Sequence, residues 1–216
     1  MIEIYYNDND IVICEKPYGV SSQKSGGENM VDALSEQLNC EIFPVHRLDT
    51  TTTGVMVFAK NEQSAAILSK QIADRQFNKE YLLICHGSVD KSGEMRDFLY
   101  HDRLKNKSFV VKNKRNGSKE ALLEYESVFH DNNRDLSLVK VILHTGRTHQ
   151  IRVQFSCRGY CLYGDGKYGA KDNAKIALHS HSVTFFHPKT KEKITFVSYP
   201  DSEIFTELLN ADKKTD

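Results

Sequence analysis

The sequence predicts an α+β fold, a single domain spanning 1–216 on a mixed, mostly antiparallel β-sheet with flanking helices. Two observations carry this. Most apolar stretches are short, β-branched or alternating, and separated by turn residues, whereas only a few show helical spacing. No internal repeat, low-complexity segment or linker interrupts the 216 residues, of which 39% are hydrophobic and 27% charged, ordinary fractions for a folded chain.

Taken in order, residues 11–14 (Ile-Val-Ile-Cys) read as a short buried strand ended by Lys16-Pro17-Tyr18-Gly19. Met30, Val31, Leu34 and Leu38 share one face at helical spacing and predict a short helix over 29–39. Val55-Met56-Val57-Phe58-Ala59 suits a central strand. Asn61 is an N-cap candidate for a helix with Ala65, Leu68 and Ile72 inward. Strands follow at 80–86, more weakly at 98–100 and 108–112, then after the Asn116-Gly117 turn, where Ala121, Leu123, Tyr125 and Phe129 alternate with glutamates. Residues 136–143, 177–186 and 194–199 complete the strands. Ile204, Phe205, Leu208 and Leu209 mark a last amphipathic helix after Pro200.

Composition excludes several function classes. No apolar run approaches the roughly 20 residues a helical membrane span needs, and the first residues lack the basic and apolar regions of a secretory signal. Five cysteines (Cys14, Cys40, Cys85, Cys157, Cys161) form no Cys-x-x-Cys pair, as expected of a cytoplasmic chain without a disulfide framework. Twenty-nine bases balance twenty-nine acids, which argues against a uniformly basic nucleic-acid binder. The zero is unevenly composed, however. Residues 1–50 carry nine acids and three bases, 103–119 carry seven bases and no acid, and 140–193 carry ten bases and three acids. Such asymmetry suits a polyanion-facing surface, and equally a set of solvated faces.

Three segments carry more polar groups than a plain core requires. His46-Arg47-Leu48-Asp49-Thr50-Thr51-Thr52-Thr53-Gly54 directly precedes the 55–59 strand, and Gly54 permits a close backbone approach. Thr145-Gly146-Arg147-Thr148-His149-Gln150-Ile151-Arg152 turns a strand into a helix, with Ile151 and Phe155 inward. An arginine near a helix start opposes the dipole, which suggests a carboxylate or phosphate partner. Asn78-Lys79-Glu80-Tyr81 opens a strand. Cys157, Cys161, His179 and His181 do not follow a common zinc spacing, and neither a nucleophile elbow, a Walker loop nor a dinucleotide fingerprint is present.

In this order the segments resemble the RluA family of pseudouridine synthases. His46-Arg47-Leu48-Asp49 with Thr52-Thr53-Gly54 and Ala59-Lys60 is similar to its catalytic motif, Lys79-Glu80-Tyr81 to its Lys-x-Tyr segment, and residues 145–153 to its arginine motif. Thr53 stands where the family usually has Ser, and Gln154 where a His commonly follows. Glu15-Lys16-Pro17-Tyr18-Gly19, the 163–169 loop, Leu178-His179-Ser180 and Phe186-His187-Pro188 agree with flanking family segments. The likeness runs from about residue 8 to 201. Since the pattern begins within the first fifteen residues, the resemblance implies a catalytic domain without the small RNA-binding domain that members often carry in front.

The resemblance implies a pseudouridine-synthase-like domain with a catalytic cleft, acting without metal or other cofactor on uridines of ribosomal or transfer RNA. A monomer is expected. Asp49 is the implied catalytic carboxylate, either as nucleophile or as the base that removes a sugar proton. Arg147 is expected beside it, since a neighbouring guanidinium typically lowers an Asp pKa by roughly 1–3 units. Tyr81 is expected to stack on the uracil and relay the proton leaving carbon 5, and Ile151 to pack under the base. His46, Thr52 and Lys79 are expected to contact the substrate. Arg47 is a candidate to fill the stack vacated by a flipped base, and the 103–119 stretch to hold phosphates. Two other classes are an RNA-binding module without activity and an RNA hydrolase using His46, Asp49 and His149.

Overall fold

The computed structural model describes residues 1–212; the last four of the expected 1–216 domain lie outside the described residues. The chain runs β1 (Ile4–Asn7), β2 (Ile11–Lys16), α1 (Met30–Leu38), β3 (Phe43–Pro44), β4 (Thr53–Ala59), α2 (Glu62–Ala73), β5 (Asn78–His86), β6 (Ser92–Asp102), β7 (Lys107–Val111), β8 (Ser118–Asp131), β9 (Leu136–Leu143), α3 (Gln150–Ser156), a 3₁₀ turn (Gly166–Tyr168), β10 (Leu178–Phe186), β11 (Lys193–Val197) and α4 (Glu203–Asp212). The α+β class follows from this order. Contacts divide the chain into two compact units, Met1–Lys79 with His179–Pro200, and Glu80–Leu178 with the chain from Asp201. No composition shift marks these boundaries.

The first unit holds a mixed sheet. β2 lies antiparallel between β1 and β4, β4 also takes β3 antiparallel, and β10 pairs β4 in parallel and β11 antiparallel. Residues 11–14 and 55–59 are fully buried, as a continuous apolar run predicts for strands covered on both faces. Their side chains pack with Leu68 of α2, Phe77, Val183 and Phe185. Both helices start where a side chain satisfies an orphan backbone donor: Asn29 accepts from the Asp32 N–H, and Asn61 from the Ser64 N–H.

The second unit is an antiparallel meander ordered β5-β9-β8-β6-β7. Phe205 and Leu208 of α4 bury against Leu82, Ile84, Leu136 and Leu138. β6 is far longer than the three residues its sequence suggests, because an acid, Asp97, occupies an inward position between Met95 and Leu99. There its carboxylate accepts from Gln154 Nε2 at 2.7 Å and from Arg158. β1 was not expected either; two tyrosines and an asparagine hide a half-buried edge strand of four residues.

Candidate active site

In the first unit, the residues before β4 form a tight loop in which four carbonyls, those of Leu48, Asp49, Thr50 and Thr52, accept hydrogen bonds. Ser22 Oγ donates to the Leu48 carbonyl at 2.9 Å, the Thr52 N–H to that of Asp49 at 2.9 Å, and the Gly19 N–H to that of Thr50 at 2.9 Å. Lys16 Nζ closes the turn by donating to the carbonyls of Pro17 (2.9 Å), Thr50 (3.2 Å) and Thr52 (2.8 Å). Lys16 is fully buried at the end of β2. Burial lowers its pKa to about 8, while the carboxylates of Asp49 and Glu15 act the other way. The ammonium thus faces the catalytic candidate with its three protons already used. Asp49 itself is half-buried, and Arg47 is exposed.

Gly54 ends the loop where its Cα passes a neighbouring backbone. Its φ is +113°, and a Cβ there would lie 2.3 Å from the Ser180 carbonyl oxygen, so only glycine fits. Just beyond, the parallel pairing puts Thr53 opposite His179 and Gly54 opposite Ser180.

His46 serves this frame rather than solvent. Its Nε2 accepts from the Val57 N–H at 3.1 Å, and its ring tilts against Phe77. Burial, with Lys79 nearby, lowers its pKa to about 3, so it stays neutral near pH 7. Thr52 and Lys79 are buried, and burial lowers the Lys79 pKa.

In the second unit, Tyr81 sits on β5 opposite Val141 of β9 and is 5% exposed. Arg147 lies three residues before α3, half-buried, with its Nε donating to the Glu120 carbonyl at 2.8 Å. Its loop is shaped by Gln150, whose Oε1 accepts from the Arg147 N–H (3.0 Å) and from Thr145 Oγ1 (2.8 Å). His149 adopts a left-handed φ of 55° at the helix start, and its Nδ1 meets the Tyr168 hydroxyl at 2.9 Å. Ile151 is buried at 4% exposure. Gln154, fully buried, donates to the Met95 carbonyl and to Asp97, tying α3 to β6. Arg152 forms a buried two-pronged pair with Asp165, both bonds 2.7 Å.

A groove of about 650 Å³ runs beside Arg147 in this unit, lined also by Tyr100, His101, Arg103 and Lys119. The β6–β7 turn, the connection that follows β7 and the start of β8 expose Arg103, Lys105, Lys112, Lys114, Arg115 and Lys119.

The expected residues therefore fall into two sets: His46, Arg47, Asp49, Thr52 and Lys79 in the first unit, and Tyr81, Arg147 and Ile151 in the second. Sequence reasoning assigned no part to Lys16, Glu15, His179 or Tyr168. The signals for Lys16 and Glu15 were a charged pair closing an otherwise apolar strand and their place in a segment similar to one that flanks the family's motifs. Among the described residues, Asp8, Asp10 and His187 lie close enough to share a cation. Yet His187 Nδ1 accepts backbone N–H groups from Lys189 and Thr190, leaving Nε2–H to donate to Asp8 at 2.9 Å. That ring clasps the chain and has no lone pair for a metal.

Comparisons with known proteins agree with the motif order. A family model described as RNA pseudouridylate synthase matches residues 10–157. An uncharacterized RNA pseudouridine synthase of Aquifex aeolicus is 34% identical, the match covering 90% of this chain and 68% of that protein. The ribosomal large subunit pseudouridine synthase C of Buchnera aphidicola is 31% identical over 96% of this chain and 69% of its own length. The tRNA pseudouridine synthase C of Haemophilus influenzae is 28% identical, with 97% of each chain covered. In fold, the chain is similar to human RNA Pseudouridylate Synthase Domain Containing 4, with a TM-score of 0.78 over 98% of this chain and 93% of that one, at 22% identity. On the breadth of the family match and the identity to these relatives, the chain belongs to the RNA pseudouridine synthases, the isomerases that convert uridine in RNA to pseudouridine.

Proposed function

We propose that the chain isomerises particular uridines of a ribosomal or transfer RNA, with Asp49 as the catalytic carboxylate acting on a flipped-out nucleotide. The observation that carries this reading is the Asp49 turn, in which Lys16, Ser22 and backbone amides hold the carbonyls of Leu48, Asp49, Thr50 and Thr52. In the reaction the bond from ribose C1′ to uracil N1 breaks, the base turns, and C1′ bonds to C5. The proton on C5 leaves and N1 gains one. Asp49 either attacks the sugar or removes a sugar proton. On the family likeness, Arg147 is the candidate cation for this reaction, and Tyr81 and Ile151 are the candidate contacts to the base.

A stacked uridine hides its glycosidic bond, and extruding it costs a few kcal/mol. The exposed Arg47 offers a planar cation to fill the gap. The basic hairpin and the groove beside Arg147 suit phosphates of the flanking chain. His46, Thr52 and Lys79 are read as supports of the substrate-binding loop, in keeping with their burial. We place the enzyme, as a monomer, in the cytoplasm; its cysteines are all free thiols, which suits a reducing compartment. The relatives' names point to both ribosomal and transfer RNA as substrates. The hydrolase alternative loses support, because His46 is neutral with its Nε2 engaged.

The test uses ribosomal and transfer RNA transcripts tritiated at uracil C5. The enzyme should release tritium and leave the strands intact, and Asp49→Ala should release none. Cleaved strands, or an Asp49→Ala variant with wild-type release, would overturn the reading.

A further inference from the structure

Adjacent residues of a strand send their side chains to opposite faces, and at the end of β2 both side chains reach the Asp49 loop. Lys16 takes the turn carbonyls, as described above. Glu15 takes the other end. Its carboxylate is hydrogen-bonded by the Gly54 backbone N–H, by Ser198 Oγ at 2.8 Å and by the Tyr5 hydroxyl at 2.9 Å. Ser198 Oγ also meets His179 Nε2 at 3.0 Å, and His179 Nδ1 meets Thr53 Oγ1 at 2.8 Å. His179 and Ser198 are almost wholly buried.

The proton positions follow from the partners. Ser198 has one hydroxyl proton, and it goes to Glu15. The serine oxygen therefore accepts from His179 Nε2–H. A neutral imidazole then has Nδ1 as its acceptor, which receives the Thr53 O–H. Every donor points the same way, from Thr53 through His179 and Ser198 to a carboxylate that also holds Gly54. The segment Thr53-Gly54 is thus tethered twice to one carboxylate at the point where the Asp49 loop enters β4.

Apolar side chains of similar volume could fill this space without the desolvation penalty that buried polar groups carry. Stability alone therefore does not account for the chain, whereas a reacting group must be held to within about 0.5 Å of its productive position by its supporting hydrogen bonds. We propose that Glu15, Ser198 and His179 are positioning residues which act through Thr53 and Gly54 to hold the Asp49 turn in register for the reaction. They set the rate in the bound state and not the affinity for RNA. The inference rests on Asp49 being the catalytic carboxylate.

Single-turnover tritium release from the same transcripts, measured at rising enzyme concentration, separates maximal rate from half-saturation. Thr53→Val and Ser198→Ala should each lower the maximal rate about tenfold or more, with half-saturation within about twofold of wild type. Thr53→Ser keeps the hydroxyl and should restore the rate. The inference is overturned if Thr53→Val and Ser198→Ala both run at the wild-type rate while Asp49→Ala is inactive. It is equally overturned if Thr53→Ser is as slow as Thr53→Val, because then shape and not the hydroxyl matters. An active Asp49→Ala would instead remove the catalytic reading on which the inference stands. Should Thr53→Val lose its wild-type circular dichroism, Ser198→Ala decides alone.

Discussion

The Asp49 loop and the basic hairpin of β6 and β7 carry the charges that matter here, and they are held in opposite ways. Around Asp49, four carbonyls are held by protein groups: Ser22, the Thr52 and Gly19 amides and Lys16 occupy those of Leu48, Asp49, Thr50 and Thr52. A buried lysine does this work within a shell of fully buried strands. Where the hairpin runs on into β8, Lys112, Lys114, Arg115 and Lys119 stand in solvent, and Arg115 rests over the Tyr100 ring at 4.3 Å. On the function proposed above, the difference reflects what each charge must do. A reacting carboxylate needs fixed geometry. Cations that attract phosphates act through a field, which tolerates side-chain motion and fades with salt.

The largest effect that could break this comparison belongs to Arg147. Arg147→Ala should lower turnover by roughly 100-fold or more, the scale of losing a charged group in an active site. Single-turnover tritium release tests this, and a wild-type rate in Arg147→Ala would remove the residue from the reaction.

Next comes the contrast between a buried and an exposed lysine. Lys16→Met takes the Lys16 donor from the carbonyls of Pro17 and Thr52, and from that of Thr50, which keeps the Gly19 N–H, and should cost about 2–3 kcal/mol in urea unfolding. Lys112→Ser should stay within about 0.5 kcal/mol of wild type. Equal effects would show that Lys16 does not hold the loop. The smallest effect is the most specific to the hairpin. Replacing Lys112, Lys114 and Arg115 together by serine should weaken RNA binding and flatten its salt dependence by up to about two units of log–log slope, at roughly 0.7 per phosphate contact on a single strand. An unchanged slope assigns the hairpin to solvent alone.

Much of the fold was legible in the chain. Asn61 caps α2, as its place before that helix foretells, and β9 spans the residues its apolar run outlines. Gly54 was read as a site of close approach, and the strand register explains why. Other features escaped because the cause lies elsewhere in the chain. β6 is disguised by Asp97, an inward acid that makes sense only once Gln154 and Arg158 are folded beside it. The division into two units has no marker in composition.

By itself, then, the sequence determined which segments form strands and helices, because periodicity, capping residues and glycine act over a few neighbouring positions. It also carried the family, through the order of short motifs. Only the tertiary structure decided what Glu15 and Lys16 do. Their partners Thr50, Thr52 and Ser198 lie 34 to 183 positions away along the chain, and a polar side chain's role depends on which donors and acceptors share its buried surroundings. That environment is assembled from several strands at once, so no local pattern could announce it.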